Sequence, residues 1–350
     1  MNSADHQISF VVQGPLVLND ELTKRALLSI RREFPAAELI LSTWKGQPHE
    51  GMSYDKLVLS DDPGAIIDAN GELINFNRQL ISTQAGLREA SREYAVKFRA
   101  DFLLGDGRFC SLPLQPCSGY FESKIRMTNL FVQNPLKMPF LFHLSDLVHF
   151  GRRVDLQNFW SIPTLSREQA VNLNAASEFK KWTYAGGSIQ RMRAEQALPL
   201  GFLKTQGIDL PMSHPNQFDR SRYELFEKFL LENFEITEWQ QSGVIFPARM
   251  MDSFLETVMT SQDLAKITAN ASDSAARFKK ADLRRRYLFV FNRAYLFHLK
   301  KSLVFSYPKL KSFFSSIKSV QRLFFGSSLS SAAAARKHLE SLSSNRKNEP

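Results

Sequence analysis

Cysteine is scarce in this 350-residue chain, which contains only Cys110 and Cys117. Two cysteines are too few for a disulfide framework, and the chain lacks the CxxC pairs of a structural zinc site. It also lacks any apolar run of about 18 residues, and residues 1–15 show no basic segment followed by an apolar one. We therefore expect a cytoplasmic protein without a secretion signal or a membrane span.

Acidic residues are few in the last part of the chain. Residues 277–350 contain 17 Lys and Arg against 3 Asp and Glu, which gives +14, so the preceding residues carry −4 of the total of +10. The positive charge is thus confined to a C-terminal segment. No recognised nucleic-acid motif accompanies it, and we expect no nucleic-acid partner.

This basic segment has an amphipathic pattern. Apolar residues recur at steps of four at Leu283, Tyr287, Phe291, Tyr295, Leu299 and Leu303, with basic residues beside them. A cationic amphipathic helix is typical of interfacial membrane segments, because anionic headgroups attract each basic residue by about 1 kcal/mol. We expect residues 277–325 to bind an anionic membrane surface, within a helical segment 256–325 that precedes a disordered Ser/Ala-rich tail, 326–350. The alternative is a helix packed on the main domain with a solvated basic face.

The first hundred residues alternate between strand and helix patterns. Apolar and β-branched runs predict strands at 7–14, 37–44, 55–64 and 94–101, and helical spacing predicts helices at 20–35 and 75–93. This alternation indicates an α/β fold with a mostly parallel sheet covered on both faces. The first strand has no GxGxxG after it, which weighs against a dinucleotide site. We predict a Rossmann-like nucleotide-binding half over residues 1–105.

The second half, residues 106–255, is less regular because prolines interrupt it. We predict mixed strands and a short helix there, then further helices and a last strand. The strands are at 119–129 and 129–134, a strand with a short helix at 147–160, helices at 167–182, 189–207 and 223–238, and the last strand at 242–250.

Polar or turn-forming residues follow each of the four predicted strands. They are Gln13, Gly14 and Pro15 after the first, Thr43 after the second, Asp61 and Asp62 after the third, and Arg99 and Asp101 after the fourth. Parallel strands place their carboxyl ends at one edge, where open α/β sheets bind ligands. The pattern therefore predicts a ligand site, although "DDPG" is also a good turn sequence.

Asp101 follows a buried strand, where a carboxylate could hold Mg²⁺ or Mn²⁺ against a diphosphate leaving group. Arg99 should point to the same side, and either contacts a phosphate or forms a structural ion pair with Asp101. Asn77 and Arg78 begin the second helix, whose N-terminus favours anions. A solvated Arg78 is the competing interpretation.

A later cluster contains His143, Ser145, Asp146 and His149. A Ser/His/Asp set could indicate a hydrolase, but the chain has no GxSxG motif to expose a serine. In a strand, Asp146 and His149 would lie on opposite faces, so we expect a buried, hydrogen-bonded His149 and an Asp146 that binds an acceptor.

Seven segments resemble the WavE lipopolysaccharide synthesis family, whose members are similar to glycosyltransferases of the GT-A type. They occur in family order over roughly residues 8–250. The segments are "ISFVVQGPL", "SIRREFPAAELILSTWKGQ", "LSDDPG", "NFNRQLISTQAGLREA", "YAVKFRADFLL", "FHLSDLVHFG" and "AEQAL". The resemblance implies a GT-A-like domain over 1–255, a nucleotide-sugar donor, and a lipopolysaccharide core or related lipid-linked glycan as acceptor. Since the C-terminal segment is expected to bind a membrane and the acceptor is lipid-linked, we expect a peripheral enzyme at the inner face of the cytoplasmic membrane.

The resemblance also implies roles for individual residues. Asp101 replaces the strand-end acid that helps to hold metal and diphosphate, and Arg99 stands where the first acid of the usual DxD would be. On the acceptor side, Asp146 and Glu195 are the candidate general bases. The nucleotide would be bordered by Gln13, Gly14, Pro15, Thr43 and Asp61 or Asp62, and approached by Asn77 and Arg78. Because the first acid is lost, the alternative is a non-catalytic, membrane-associated scaffold of a surface-polysaccharide assembly.

Overall fold

The computed structural model describes residues 5–67, 73–171, 193–212, 217–252 and 255–290. The chain forms a mixed α/β domain. The strands are β1 (Ile8–Gln13), β2 (Glu38–Trp44), β3 (Lys56–Ser60), β4 (Ile66–Ile67), β5 (Leu73–Ile74), β6 (Tyr94–Arg99), β7 (Leu103–Leu104), β8 (Ile125–Thr128), β9 (His149–Arg152), β10 (Phe234–Thr237) and β11 (Val244–Ile245).

The helices follow the predicted alternation in the first half of the chain and dominate its second half. They are α1 (Leu22–Glu33), α2 (Phe76–Glu89), α3 (Arg153–Trp160), α4 (Arg167–Ala170), α5 (Ala194–Thr205), α6 (Arg220–Asn233), α7 (Ser261–Ala269) and α8 (Ser274–Val290). Within the described residues, none of these helices is long and apolar enough to cross a membrane.

Seven strands of the described chain form the central sheet, in the order β10-β8-β9-β6-β1-β2-β3. All of its pairings are parallel except those of β9, which runs antiparallel to β6 and β8. After β1 the chain passes to β2 and β3 on one side, and then returns to β6 on the other. The space between the carboxyl ends of β1 and β6 is therefore a topological switch point, where open sheets bind ligands.

The sheet is covered on both faces, as its apolar strands require. Side chains alternate across β1, so Phe10 and Val12 pack with Leu27 and Ile30 of α1, whereas Val11 packs on the opposite face. That opposite face is covered by α2, α3, α5 and α6. The two layers together bury the strands, including the last residues of β1 and β2.

Three of the predicted elements differ from the structure. The last strand, predicted at 242–250, contains only β11, and a 3-10 helix follows it at Ala248–Asp252. Residues 129–134 form turns, with one isolated bridge from Gln133 to Val258, because they cross from β8 toward the C-terminal part of the chain. The predicted helix 223–238 ends at Asn233, and Phe234–Thr237 form β10, because Phe234 and Ile236 alternate into the core beside β8. Most of the predicted helix 167–182, and the start of the one at 189–207, lie outside the described residues.

The first half of α8 packs against α6. Arg277 forms an ion pair with buried Glu227 at 2.6 Å, and the ring of Phe278 stacks on Phe218 at 5.8 Å. Farther along α8 begins the predicted apolar stripe, the residues at steps of four from Leu283 to Leu303. Its first two residues, Leu283 and Tyr287, are 70% and 52% exposed. The rest of the stripe lies outside the described residues.

Candidate functional site

The carboxyl ends of β1 and β6 lie side by side at the switch point. Gln13 and Arg99 are paired in register, and the Ala100 N–H donates to the Gln13 carbonyl at 3.0 Å. Gly14 then turns the chain away with φ of 113°, a conformation that glycine adopts without steric strain. The side chains of Gln13 and Arg99 consequently share one sheet face at the open edge.

Two arginines bind the carboxylate of Asp101. Arg99 Nε and Nη2 donate to its two oxygens at 2.9 and 3.1 Å, and Arg249 Nη2 donates to Oδ2. Burial alone raises the pKa of Asp101, but the Arg99 and Arg249 guanidiniums lower it below its ordinary value. The Arg99–Asp101 ion pair, one of the two alternatives from the sequence, is thus present, and this set of donors does not fit a divalent cation.

Arg249 reaches this site through a small antiparallel pair of strands. β11 pairs with β7, and the Gly105 N–H donates to the Gly243 carbonyl at 2.6 Å, which brings residues 248–252 beside Asp101. Arg249 was not among the predicted site residues, because it is 148 residues from Asp101 in the chain and no motif surrounds it.

The two candidate general bases lie together beside this ion pair. Asp146 is buried in the loop before β9, and the Leu144 N–H in that loop donates to the Glu195 carbonyl at 3.1 Å, in the first turn of α5. Burial and the negative charge of Glu195 raise the pKa of Asp146, against the opposing charges of Lys97 and Arg99. The site therefore contains a carboxyl group with increased basicity next to a second acid.

Lys97 of β6 forms hydrogen bonds with the loop that contains Asp146. Its ammonium is completely buried and donates to the carbonyls of Asp146 and Leu147, the latter at 3.0 Å, and lies 5.0 Å from the centre of the Trp160 ring. Burial lowers the pKa of Lys97 to about 7. Lys97 was not among the predicted site residues, although a lysine in the middle of the buried strand "YAVKFR" indicates a polar contact inside the protein.

The histidines of the loop are structural, as expected for His149. Trp160 Nε1 donates to His149 Nδ1 at 3.0 Å, and His149 Nε2 donates to the Ser145 carbonyl at 2.7 Å, so the ring is neutral. Burial lowers the pKa of His149 to about 3 and that of His143 to about 4.

The predicted residues of β1 and β2 lie at the same edge, together with two residues of α2 that were not predicted. Ser82 of α2 donates to Gln13 Oε1 at 2.7 Å, and the Thr43 hydroxyl lies 2.9 Å from the Gly14 carbonyl, just before Pro15. Gln79, in the first turn of α2, donates to the Asp146 carbonyl at 2.9 Å. Helix α2 thus links Gln13, which is predicted to border the nucleotide, to the loop that contains Asp146.

The other predicted residues lie farther along the edge, toward β3. Arg78 forms a bidentate ion pair with Asp62, with both contacts at 2.7 Å, and exposed Asp61 pairs with Lys45. Asn77 exchanges two hydrogen bonds with the backbone of Leu165. These four residues are therefore engaged with protein partners and are not gathered around Asp101.

Two surface clefts of the described chain lie elsewhere. A cleft of about 340 Å³ lies beside Arg277 and Lys280, and one of about 580 Å³ lies beside Gln84 and Trp160. Neither is lined by a predicted site residue, so the site is defined by the convergence of charged groups at the sheet edge.

Comparison with curated proteins gives no match. The family model described as WavE lipopolysaccharide synthesis matches residues 8–296, which include the whole central sheet and every residue of the candidate site. This match confirms the resemblance seen in the seven sequence segments and associates the protein with lipopolysaccharide synthesis. Because the match covers most of its length, the chain belongs to the WavE lipopolysaccharide synthesis family.

Proposed function

We propose that this protein is a glycosyltransferase of GT-A type, which moves a sugar from a nucleotide-sugar donor to a lipopolysaccharide core or related lipid-linked glycan. The observation that carries the proposal is the position of Asp146 and Glu195. Asp146 lies close to Arg99 of the Arg99–Asp101 ion pair at the carboxyl end of the sheet, and Glu195, which is far away in sequence, lies close to Asp146. The membership of the family supplies the class of acceptor.

The donor half of the site has the charge that a departing nucleoside diphosphate requires. Negative charge develops on the leaving phosphate, and preorganised cationic donors stabilise it most in a site with little water. Arg99 is held in place by Asp101, and Gln13 and Gly14 end the neighbouring strand. We place the diphosphate against Arg99, with the nucleotide toward Gln13, Pro15 and Thr43.

The acceptor half supplies the base. In an inverting transfer, the acceptor hydroxyl attacks the anomeric carbon, the bond from that carbon to the diphosphate breaks, and its electrons leave with the phosphate oxygen. The hydroxyl proton passes to a carboxylate within hydrogen-bond reach. We assign this role to Asp146, because burial and Glu195 raise its pKa and thus strengthen it as a base.

The C-terminal segment would bring the enzyme to its acceptor. Leu283 and Tyr287 are exposed on α8, and so are the neighbouring Arg284 and Arg286, which fits the start of a membrane-binding stripe. We propose that residues 277–325 hold the protein at the cytoplasmic face of the membrane, where the lipid-linked acceptor is located.

The proposal is tested with the Asp146→Asn variant. We expect transfer to a delipidated lipopolysaccharide core to fall by about 10²- to 10⁴-fold, the usual effect of losing a general base, while nucleotide binding stays within twofold. Asp209→Asn is the matched control, because it makes the same chemical change at an exposed position paired with Lys204. Circular dichroism checks that both variants fold.

Three results would count against this function. Full activity of Asp146→Asn would remove that residue as the base, and the same experiment on Glu195→Gln would then decide between the two acids. Inactivity of both variants together with lost nucleotide binding would indicate a structural role. If the unmodified protein binds no nucleotide with or without Mg²⁺ or Mn²⁺, the scaffold alternative is favoured.

A further inference from the structure

Asp101 stands where a metal-binding acid is expected, yet its carboxylate is already bound. The Arg99 guanidinium donates to both carboxylate oxygens, and the Arg249 guanidinium donates to Oδ2 as well. The carboxylate is only 6% exposed. Asp101 is thus a buried anchor for two cations.

A divalent ion would have to displace this arrangement. Mg²⁺ binds oxygen at about 2.0–2.1 Å, so an ion on Asp101 would lie next to both guanidinium groups and be repelled by them. Nor does the described part of the chain contain a group of three or more His, Cys, Asp or Glu residues that could hold a metal. Arg99 has moreover replaced the first acid of the expected DxD.

The two arginines have different surroundings. Arg99 is partly buried at the end of β6 and packs 5.3 Å from the Phe102 ring, whereas the Arg249 side chain is 57% exposed. A guanidinium has five N–H donors in a planar fork, and one contact to Asp101 leaves Arg249 able to donate to a second anion. Arginine binds phosphate in a bidentate manner, which gives both energy and direction.

We propose that Arg249, together with Arg99, binds the diphosphate of the nucleotide donor directly and takes the place of a divalent cation. This inference rests on the proposed transferase function. Asp101 is then a positioning residue, which aims both guanidiniums at the phosphates. Arg99 and Arg249 carry two permanent positive charges against the one carboxylate that they share, so Asp101 does not neutralise both guanidiniums.

The test uses the full-length protein and a panel of probes, namely UDP, GDP, ADP and CDP. Binding is measured by calorimetry in EDTA and again in MnCl₂, and direct Mn²⁺ binding is followed by electron paramagnetic resonance. We expect the preferred nucleotide to bind equally in both solutions, within twofold. Arg249→Gln should weaken it at least tenfold, and Arg249→Lys should weaken it less because it keeps the charge.

Arg220→Gln is the matched control, since Arg220 is also an exposed guanidinium paired with a carboxylate, Glu224, and lies on α6. It should bind the nucleotide as the unmodified protein does. Asp101→Asn provides a second criterion: a metal ligand would be essential for Mn²⁺-dependent binding, whereas a positioning residue leaves metal-free binding measurable.

Each outcome is decisive. Binding that requires Mn²⁺, or that Mn²⁺ tightens tenfold or more, overturns the inference and leaves the transferase function standing. Metal-independent binding that Arg249→Gln does not change overturns the role of Arg249. Absence of binding for every nucleotide, with and without Mn²⁺, overturns the transferase function and this inference with it.

Discussion

The pKa of Lys97 indicates how well the candidate site is shielded from water. Its ammonium is buried beneath the Asp146 loop, and burial lowers its pKa from 10.5 to about 7. The unfolded chain therefore holds a proton on this residue between pH 7 and 10.5 that the folded chain has released. Because the unfolded state binds more protons in this window, the contribution of Lys97 to the free energy of unfolding rises with pH.

The size of the effect follows from the shift. One pKa unit corresponds to about 1.4 kcal/mol, so the full penalty for burying the charge is about 5 kcal/mol below pH 7 and disappears above pH 10.5. Between pH 7 and 9, the contribution of Lys97 should increase by about 2 kcal/mol. This is a large fraction of the stability of an ordinary domain.

The assay is urea unfolding, followed by tryptophan fluorescence at pH 7, 8 and 9. The quantity of interest is the difference between the unmodified protein and Lys97→Met, because other groups titrate in both. Lys97→Met also removes the Lys97 hydrogen bonds to the carbonyls of Asp146, which keeps its donor Gln79, and of Leu147. This loss is the same at every pH, so the pH dependence of the difference reports the titration of Lys97. The exposed Lys204→Met is the control.

If the free energy of unfolding changes with pH to the same extent in the unmodified protein and in Lys97→Met, burial does not lower the pKa of Lys97. Such a result would mean that water reaches the ammonium and keeps it protonated. The Asp146 loop would then be an open surface, and the raised pKa of Asp146 would have to be abandoned too.

Three further predictions concern the packing and the C-terminal segment. Arg277→Ala should lower the free energy of unfolding by about 3–5 kcal/mol in urea denaturation, because it leaves buried Glu227 unpaired. Gly86→Ala should cost about 1–3 kcal/mol in the same assay, since its methyl would lie 2.3 Å from Val11 Cγ1. Truncation after residue 290 should leave stability unchanged and abolish sedimentation with anionic vesicles, and binding by the intact protein should weaken as salt shortens the Debye length from about 10 Å at 0.1 M to 3 Å at 1 M.

Control variants distinguish these effects from a general loss of stability that any substitution could cause. Arg286→Ala removes an exposed arginine from the same helix and should change stability by less than about 0.5 kcal/mol. Gly151→Ala should be tolerated, because its methyl would contact Ile125 at 3.5 Å, an ordinary distance. If truncation after residue 290 unfolds the protein, the segment beyond it belongs to the core and the membrane proposal fails.

The first half of the fold was predictable because β1 and β2 are fully buried, most of β6 is buried, and its helices are amphipathic. Residues 8–13, 38–44 and 94–99 are apolar runs, and the alternation with helices implies a parallel sheet with a ligand edge. The ligand edge could therefore be located from local patterns alone. Residues 129–134 have the same apolar character, but their partners are distant, and their composition could not distinguish a turn from a strand.

A site residue could be predicted only where the sequence around it forms a recognisable pattern. Asp101 follows a buried strand, and Asp146 and Glu195 were identified through the family segments. Arg249 had no such signal, because its approach depends on the pairing of β11 with β7 across about 140 residues. Long-range pairings of this kind leave no periodicity in the sequence, so the second guanidinium on Asp101 required the structure.

The charges at the switch point lead to a last prediction, which couples donor binding to protonation. Lys97, Arg99 and Arg249 there face three carboxyl groups, those of Asp101, Asp146 and Glu195. Adding an anionic diphosphate favours the protonated form of Lys97, whose pKa of about 7 leaves it mostly neutral at pH 7.5. Nucleotide binding should thus take up about half a proton or more at pH 7.5, and affinity should fall as pH rises from 7 to 9. Calorimetry in buffers of different ionisation enthalpy measures this uptake, and Lys97→Met should show none. A binding enthalpy that is independent of the buffer in the unmodified protein would show that Lys97 does not sense the donor and that the diphosphate binds elsewhere on the sheet edge.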